Sequence, residues 1–543
     1  MASTPLLLEL DLSQGLLETQ PSDPIAAFRS RNTPVLTSLV ERLREAAESD
    51  RVVGLIAHAG GADGLSHAQV EELGAAIEAF AASGKQTIAW SESFGESGDG
   101  TLAYHLAAHF DRIWLQPSGD LGLVGVKAGG VFLREALRKV GVEPQIRARH
   151  EYKNAPDSLL RETMGEHQRE ALQRLTDSLT DGIVTTVARR RGLTAEAVRA
   201  AIAAAPLTAT EALDHELVDH LGYRDQAYGA ARRVAAGAGH ETTAEDDLPE
   251  LELRYVHRWA PPKRQAAAKR VRREVARRTP AALRKPTPDV IAVVPVEGGI
   301  GLGRGGGSPF SGPSAGSDVV CAALRQAGGS DQVAAVVLRV VSPGGSYVAS
   351  DAIHREVVRL RDNGTPVVAS MGTVAASGGY FVAMGCDEIL ALPGTLTGSI
   401  GVFAGKVVVG EALRRVGVSR ETVATGENAT MWSADRPFDE AELARLDGWL
   451  DTVYADFTEK AAEGRGMPVD QLEPLARGRV WTGADAHERG LVDRLGGLEE
   501  AITIAAEKAG RPRSAVHAVR FPDVSPLQQL RPPASSEAVR ARL

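Results

Sequence analysis

An internal duplication constrains the fold of this chain more than any other feature of its sequence. At an offset of 276 residues, positions 101–142 align with positions 377–418 without a gap, and 18 of these 42 pairs are identical. Further along, at an offset of 274, positions 208–222 align with positions 482–496. Self-similarity over such lengths predicts two domains of the same fold.

Each half alternates short apolar runs with helical patterns. In the first half, the apolar run 52–57 precedes a helical pattern over 68–82, and a second apolar run follows at 87–90. This alternation is typical of α/β domains with parallel sheets. We therefore predict two tandem α/β repeats. The predicted segments are a first repeat at 1–235, a linker at 236–288, a second repeat at 289–510 and a C-terminal extension at 511–543.

The predicted linker differs in composition from both repeats. Residues 237–250 are polar and acidic, whereas residues 254–285 contain twelve Arg or Lys and the single acid Glu274. A basic helix carrying apolar residues such as Tyr255 and Trp259 fits an anionic membrane surface. A solvated interdomain helix or an oligomer contact fits the same pattern, so both interpretations stay open.

Bulk properties narrow the functional classes. A net charge of -9 and a pI near 5.9 argue against general nucleic-acid binding. The two cysteines, Cys321 and Cys386, lie in apolar surroundings and are predicted to be buried, reduced thiols rather than metal ligands. Residues 1–11 show neither a basic leader nor a long apolar run, and no segment reaches the length of a membrane span. Residence on the cytoplasmic side is the resulting expectation.

One strand-to-helix turn has the character of a nucleophile site. The apolar run 366–368 leads into small residues ending in Ala375-Ala376-Ser377-Gly378-Gly379, after which a helical pattern begins. A serine on such a turn exposes its hydroxyl beside unpaired N–H groups. Gly378, which has no side chain to block approach, is a candidate donor to a developing oxyanion.

A second glycine-rich turn is predicted at the same sheet edge. The apolar run 333–340 reads as a buried parallel strand and leads into Ser342-Pro343-Gly344-Gly345-Ser346, before a helical pattern over 349–360. Backbone amides that follow a parallel strand face ligands at the carboxyl edge of the sheet. Gly344 and Gly345 are therefore candidates for the second oxyanion donor, although a plain connecting turn uses the same residues.

The repeats differ in the residues that carry this chemistry. Thr101 stands in the first half where the second half has Ser377, and Lys153 falls opposite Ala429. A serine nucleophile needs a base, but His354, the only histidine between residues 289 and 486, sits in a helical pattern that does not direct it at Ser377. One repeat has kept a serine and the other a lysine.

With these motifs the chain resembles the signal peptide peptidase A (protease IV) family, the S49 serine-lysine peptidases, in their long two-domain form. The resemblance covers about 5–235 and 289–510, and it implies a duplicated fold of the crotonase and Clp protease type. The motifs that carry it are Ser342-Pro343-Gly344-Gly345-Ser346, Ala375-Ala376-Ser377-Gly378-Gly379-Tyr380, Thr397-Gly398-Ser399-Ile400-Gly401 and Tyr152-Lys153-Asn154-Ala155.

The resemblance implies specific roles and partners. Ser377 would be the nucleophile, Lys153 the general base and Ser399 the residue that orients the lysine. It further implies apolar peptide substrates such as signal-peptide remnants, no metal or cofactor, a homotetramer and frequent membrane association. Asn154 departs from the serine common in relatives, but the base itself is present.

Elementary chemistry sets a condition for this assignment. A free lysine has a pKa near 10.4, so only desolvation could make Lys153 a base at neutral pH. Two other functional classes remain, namely a crotonase-like acyl-CoA hydrolase or isomerase and a non-catalytic scaffold of the same fold.

Overall fold

The computed structural model describes residues 4–19, 28–96, 98–235, 251–261, 289–305 and 314–521. Within these ranges the chain forms two large, mainly parallel sheets, each covered by helices, and the predicted duplicated α/β fold is confirmed. The strands of the first sheet are, in spatial order, His220–Leu221, Arg112–Leu115, Gln86–Ser91, Val52–His58, Leu6–Asp11 and Glu252–Tyr255.

The second sheet repeats this order. Its corresponding strands are Arg494–Leu495, Glu388–Ala391, Val367–Ala376, Val333–Ser342, Val290–Glu297 and His517–Arg520. Two further strands extend it beyond the carboxyl half of Val367–Ala376, first Leu396–Gly398 in parallel and then Val480–Thr482 antiparallel. The central strands of this sheet are mainly apolar, as burial of both faces of a parallel sheet requires.

Helices pack on both sheets. Those of the first half are Leu36–Ala47, His67–Ala81, Thr101–Ala107, Arg134–Lys139, Asp157–Leu160, Glu166–Arg191, Ala195–Ala204, Ala209–Asp214 and Arg224–Ala235. Those of the second half are Ser317–Gly328, Tyr347–Asp362, Gly378–Ala383, Gly410–Arg415, Glu440–Arg465, Val469–Leu472, Gly483–Glu488 and Leu498–Lys508. Short 3-10 turns lie at Gly60–Gly64, Val256–Arg258, Glu473–Leu475 and Arg513–Ala515. Small two-stranded pairs join Gly299–Gly301 to Ser314–Gly316, Asp120–Leu121 to Leu207–Thr208, and Glu143–Ala148 to Phe403–Val408.

Side-chain contacts repeat between the halves as well. The buried Tyr104 hydroxyl donates to the carbonyl of Leu217 at 2.7 Å, and the Tyr380 hydroxyl donates to that of Leu491 at 2.9 Å. Each half also ends its 26-residue helix at a left-handed glycine, Gly192 or Gly466. The two repeats therefore share internal hydrogen bonds as well as strand order.

The first sheet extends into the segment predicted as a linker. Glu252–Tyr255 pairs in parallel with Leu6–Asp11, and Trp259 beyond it is only 2% exposed within the first core. The prediction of a basic helix beginning at residue 254 is therefore wrong for residues 254–261, because this stretch completes a sheet edge and its large aromatic side chain packs inward. The acidic segment 237–250 and residues 262–288 lie outside the described residues.

The structure also bears on the predictions for the two cysteines and for membrane-spanning segments. Cys321 and Cys386 are both buried, as predicted, and neither forms a disulfide bond within the described residues. Among the helices of the described ranges, none combines the length and apolarity that crossing a membrane requires.

A buried ion cluster joins the halves. Arg339, on the central strand Val333–Ser342, is 1% exposed and contacts the carboxylates of Glu18 and Glu72 from the first half. Its Nε lies 3.0 Å from Glu18 Oε1, and one terminal nitrogen lies 2.5 Å from Glu72 Oε2. Glu72 also accepts the Leu498 N–H at 2.7 Å. A charge inside an apolar strand is therefore matched by two charges from the other repeat.

Replacing Arg339 by methionine should be strongly destabilising, because it would leave two buried carboxylates without their cation. Breaking a buried pair in this way costs about 3–5 kcal/mol. The measurement is urea unfolding, compared with an Arg199→Ala control. Arg199 pairs with Asp181 at the surface, where both side chains are about half exposed, so its loss should cost at most about 1 kcal/mol. Equal losses in the two variants would contradict the cluster's role.

Candidate active site

Ser377 lies where a strand turns sharply into a helix. The strand Val367–Ala376 ends immediately before it, and the helix Gly378–Ala383 begins immediately after it. The backbone of Ser377 has φ 53° and ψ -118°, a region that a residue with a side chain rarely adopts. Its N–H donates to the Gly398 carbonyl at 2.9 Å, which holds the turn against the next strand. The hydroxyl is thereby presented at the edge of the sheet.

The two glycine turns meet at this point. A side chain on Gly344 would come within 2.6 Å of the Gly378 nitrogen, and one on Gly378 within 3.1 Å of the Gly345 nitrogen. Gly344 also has φ +100°, so a residue with a side chain would be strained there. Glycine is therefore required for this close approach.

The hydrogen bonds distinguish the three predicted oxyanion donors. The Gly344 N–H donates to the Ser342 hydroxyl at 3.1 Å. Within the described residues, the N–H groups of Gly345 and Gly378 have no acceptor. These two neighbouring amides are free to bind a carbonyl oxygen, whereas that of Gly344 is occupied.

Lys153 reaches this site from the first repeat. It follows the strand Glu143–Ala148, whose pairing with Phe403–Val408 carries the first repeat's chain onto the second repeat. The Tyr152 N–H then donates to the Arg477 carbonyl at 3.2 Å. Lys153 Nζ lies 3.1 Å from Ser377 Oγ. The structure thus brings together the two residues that the comparison of the repeats singled out.

Lys153 is buried away from solvent. The residue is 5% exposed, and desolvation by burial lowers its pKa to about 7. Gly401 and Gly478 make room for it, because a side chain on Gly478 would come within 2.6 Å of the lysine backbone. At neutral pH, a large fraction of this amine is therefore uncharged.

Ser399 lies on the other side of the amine. Lys153 Nζ is 2.9 Å from the Ser399 hydroxyl oxygen and 2.9 Å from its carbonyl oxygen. A neutral amine has two N–H donors and one lone pair. If both donors are bound by Ser399, the lone pair is left for the Ser377 hydroxyl.

The described part of the first repeat has no equivalent site. Thr101, the counterpart of Ser377, is 2% exposed, and its hydroxyl donates to the Gly125 carbonyl at 3.1 Å. His354, the histidine considered as an alternative base, packs its ring edge-on against Phe381. Among the described residues, the second repeat alone presents a serine hydroxyl to the lysine.

Sequence reasoning missed three supporting residues. Ser342 occupies the Gly344 amide, Ser350 fills the space beside Gly378, and Gly478 accommodates the lysine. Comparison of the repeats could have indicated Gly478. At the 274-residue offset its counterpart in the first half is Ala204, so glycine occurs at this position only in the second repeat. Ser342 was quoted within its motif, but its contact could not be read from the sequence.

Comparison with known proteins agrees with this fold. The family model for peptidase family S49 matches residues 79–237 and 359–511, once in each repeat. "Serine protease SPPA, chloroplastic" of Arabidopsis thaliana is 31% identical over 487 residues, which are 88% of this chain and 66% of that protein. "Protease 4" of Salmonella typhi is 31% identical over 87% of this chain and 72% of its own length. "Protease 4" of Haemophilus influenzae is 28% identical over 92% of this chain and 78% of its own length.

Fold, site and relatives define a serine peptidase. The chain belongs to peptidase family S49, as its motifs suggested.

Proposed function

We propose that the protein is an endopeptidase that works through a Ser377–Lys153 dyad and an acyl-enzyme. The observation that carries this proposal is the 3.1 Å distance between Ser377 Oγ and the nitrogen of a lysine that is 5% exposed. Desolvation supplies what serine-lysine chemistry needs, namely an amine that is neutral at physiological pH.

Acylation would begin with proton transfer from the Ser377 hydroxyl to the lone pair of Lys153. The serine oxygen then bonds to the peptide carbonyl carbon, and the carbonyl electrons move onto its oxygen. The N–H groups of Gly345 and Gly378 stabilise this oxyanion. When the intermediate collapses, the C–N bond breaks and the Lys153 ammonium returns its proton to the leaving amine.

Deacylation uses the same groups. Neutral Lys153 takes a proton from water, and the resulting hydroxide attacks the ester carbonyl. Collapse releases the carboxylic acid and restores the Ser377 hydroxyl with the proton from Lys153. Ser399 keeps the amine aimed throughout, through the two contacts described above.

Signal-peptide remnants and other apolar, unfolded peptides are the proposed substrates, and a homotetramer is the proposed assembly. Both rest on the family resemblance. A peripheral membrane contact through residues 254–285 is also proposed, but Trp259 is buried in the first core and would not take part in it.

The pH dependence tests the assignment of the base. Because the unprotonated amine is the active form, the peptidase rate should rise about tenfold per pH unit below the pKa and level off above it. The pKa of Lys153 is lowered to about 7, so the plateau should begin near neutrality. The measurement is kcat/KM for an apolar fluorogenic peptide across pH 5–10. A rate that keeps rising to pH 10 would contradict a desolvated lysine base.

The same preparation distinguishes the alternative classes. A serine-directed fluorophosphonate should label one residue per chain, and peptide mapping should locate the adduct on Ser377. A crotonase-like enzyme would instead turn over acyl-CoA without hydrolysing peptides. A scaffold would do neither.

A further inference from the structure

Two segments of the chain lack the partner that their counterparts in the other repeat possess. In the existing contact between the halves, Glu143–Ala148 of the first repeat pairs antiparallel with Phe403–Val408 of the second. We call these the arm and the receiving strand. The 276-residue offset assigns a second arm to residues 419–424 and a second receiving strand to residues 127–132.

The sequence supports the correspondence of the receiving strands. Ala128, Gly129 and Val131 are identical to Ala404, Gly405 and Val407 at this offset. Both segments also precede equivalent helices, Arg134–Lys139 and Gly410–Arg415. The segment 127–132 thus has the sequence of a strand that is already seen to accept a partner.

Neither second segment is paired with another part of the described chain. Residues 127–132 and 419–424 have no regular secondary structure. In the described ranges, neither makes a backbone–backbone hydrogen bond. Apolar side chains on them face solvent, with Val131 73% exposed and Val423 100% exposed. Unpaired backbone beside exposed valines is a ready template for a strand from another chain.

We propose that the second receiving strand of one copy pairs with the second arm of another copy of this chain. The register follows from the observed pair, in which Phe403 lies opposite Ala148 and Val408 opposite Glu143. Subtracting or adding 276 places Lys127 opposite Ala424 and Phe132 opposite Ser419. A second copy is the occupant because the contact then continues, between chains, the relation that joins the two halves within a chain.

A second contact supports the same docking. Within the chain, the Ala412 N–H donates to the Gly141 carbonyl at 3.1 Å, so the two equivalent helices meet end to end. Their counterparts, Ala136 and Gly417, would meet between copies. Val416, which adjoins Gly417 at this proposed junction, is 74% exposed in the single chain.

The contact would be heterologous, because each copy uses an arm on one side and a receiving strand on the other. Such contacts generate rings or filaments rather than two-fold dimers. This inference does not depend on the peptidase chemistry. It adds to the proposed assembly by naming the segments and their register.

Disulfide trapping tests both the contact and its register. Ala128→Cys combined with Val423→Cys, and Gly129→Cys combined with Thr422→Cys, place cysteines at directly opposed positions of the proposed pair. Of two adjacent positions in an antiparallel pair, one is the closer, non-hydrogen-bonded type that suits a disulfide. The native cysteines are buried, so background oxidation should be slow. We expect at least one double variant to give a ladder of covalent oligomers on non-reducing electrophoresis.

The controls separate this contact from others. Either single variant alone should stay monomeric on the gel, and a mixture of the two single variants should give only dimers. In the variant Ala128→Cys with Glu421→Cys, the second cysteine is displaced by two residues. Its disulfide should form at least about tenfold more slowly, because diagonal positions lie roughly 7–8 Å apart. The proposal is overturned if neither opposed pair is trapped between chains, if single variants are trapped as well as double ones, or if the displaced pair reacts as fast. All substituted positions are exposed, so folding should be unaffected.

Discussion

Replacing Ser377 by alanine should reduce peptide hydrolysis to the background of the assay, a loss of at least about 10³–10⁴-fold in kcat. The variant removes only the hydroxyl oxygen, which is the atom that would form the acyl-enzyme. Alanine adopts the strained turn no less readily than serine, and Lys153 keeps both of its contacts with Ser399. The protein should therefore stay folded, with KM affected much less than kcat.

Thr101→Ala is the matched control for this experiment. Thr101 occupies the same place in the first repeat, but its hydroxyl is bonded to a backbone carbonyl rather than presented to a lysine. That variant should lose about 1 kcal/mol of stability and keep its activity. Hydrolysis that persists in Ser377→Ala would rule out this serine as the nucleophile.

Replacing Lys153 by methionine should abolish activity to a similar extent, because no other base contacts Ser377 among the described residues. Methionine nearly preserves the volume of the side chain but cannot accept a proton. The fluorophosphonate reaction, which needs an activated serine, should be lost as well. Lys508→Met is the control. Lys508 is one of two basic residues that form ion pairs with Glu388, so its replacement should leave activity unchanged.

Lys153→Met should lose activity but gain thermal stability at neutral pH. Since the pKa of Lys153 falls from 10.5 unfolded to about 7 folded, the unfolded state binds more protons between these values. The wild type is therefore penalised below about pH 7, and its stability recovers as the pH rises to 10.5. Lys153→Met should melt at a higher temperature than the wild type at pH 7, with the difference shrinking toward pH 10. If Lys153→Met were inactive but less stable than the wild type at pH 7, this result would contradict a desolvated amine at this position.

Much of the fold could be predicted because both sheets obey local rules. The apolar run at 333–340 and the alternation of strands and helices gave two α/β repeats, and the shared strand order follows from the duplication. The sheet edge at Glu252–Tyr255 was missed because the basic residues that follow dominate its composition. Arg339 was read as part of an apolar strand, since its partners Glu18 and Glu72 lie 321 and 267 residues away.

The site was predictable in proportion to how local each feature is. The placement of Ser377 and Gly378 follows from a strand, a turn and a helix that are consecutive in sequence. Lys153 emerged only from the difference between the repeats and from the family resemblance, because its distance to Ser377 spans 224 residues. The choice of Gly345 over Gly344 depends on one hydroxyl contact, that of Ser342, which no pattern reveals.

In the proposed mechanism, the division of the dyad between the two halves also determines when the protein can hydrolyse peptides. The amine belongs to the half that is translated first, and the alcohol follows 224 residues later. A growing chain therefore has no complete active site until its second half has folded against the first. The order of translation itself therefore delays the proposed activity.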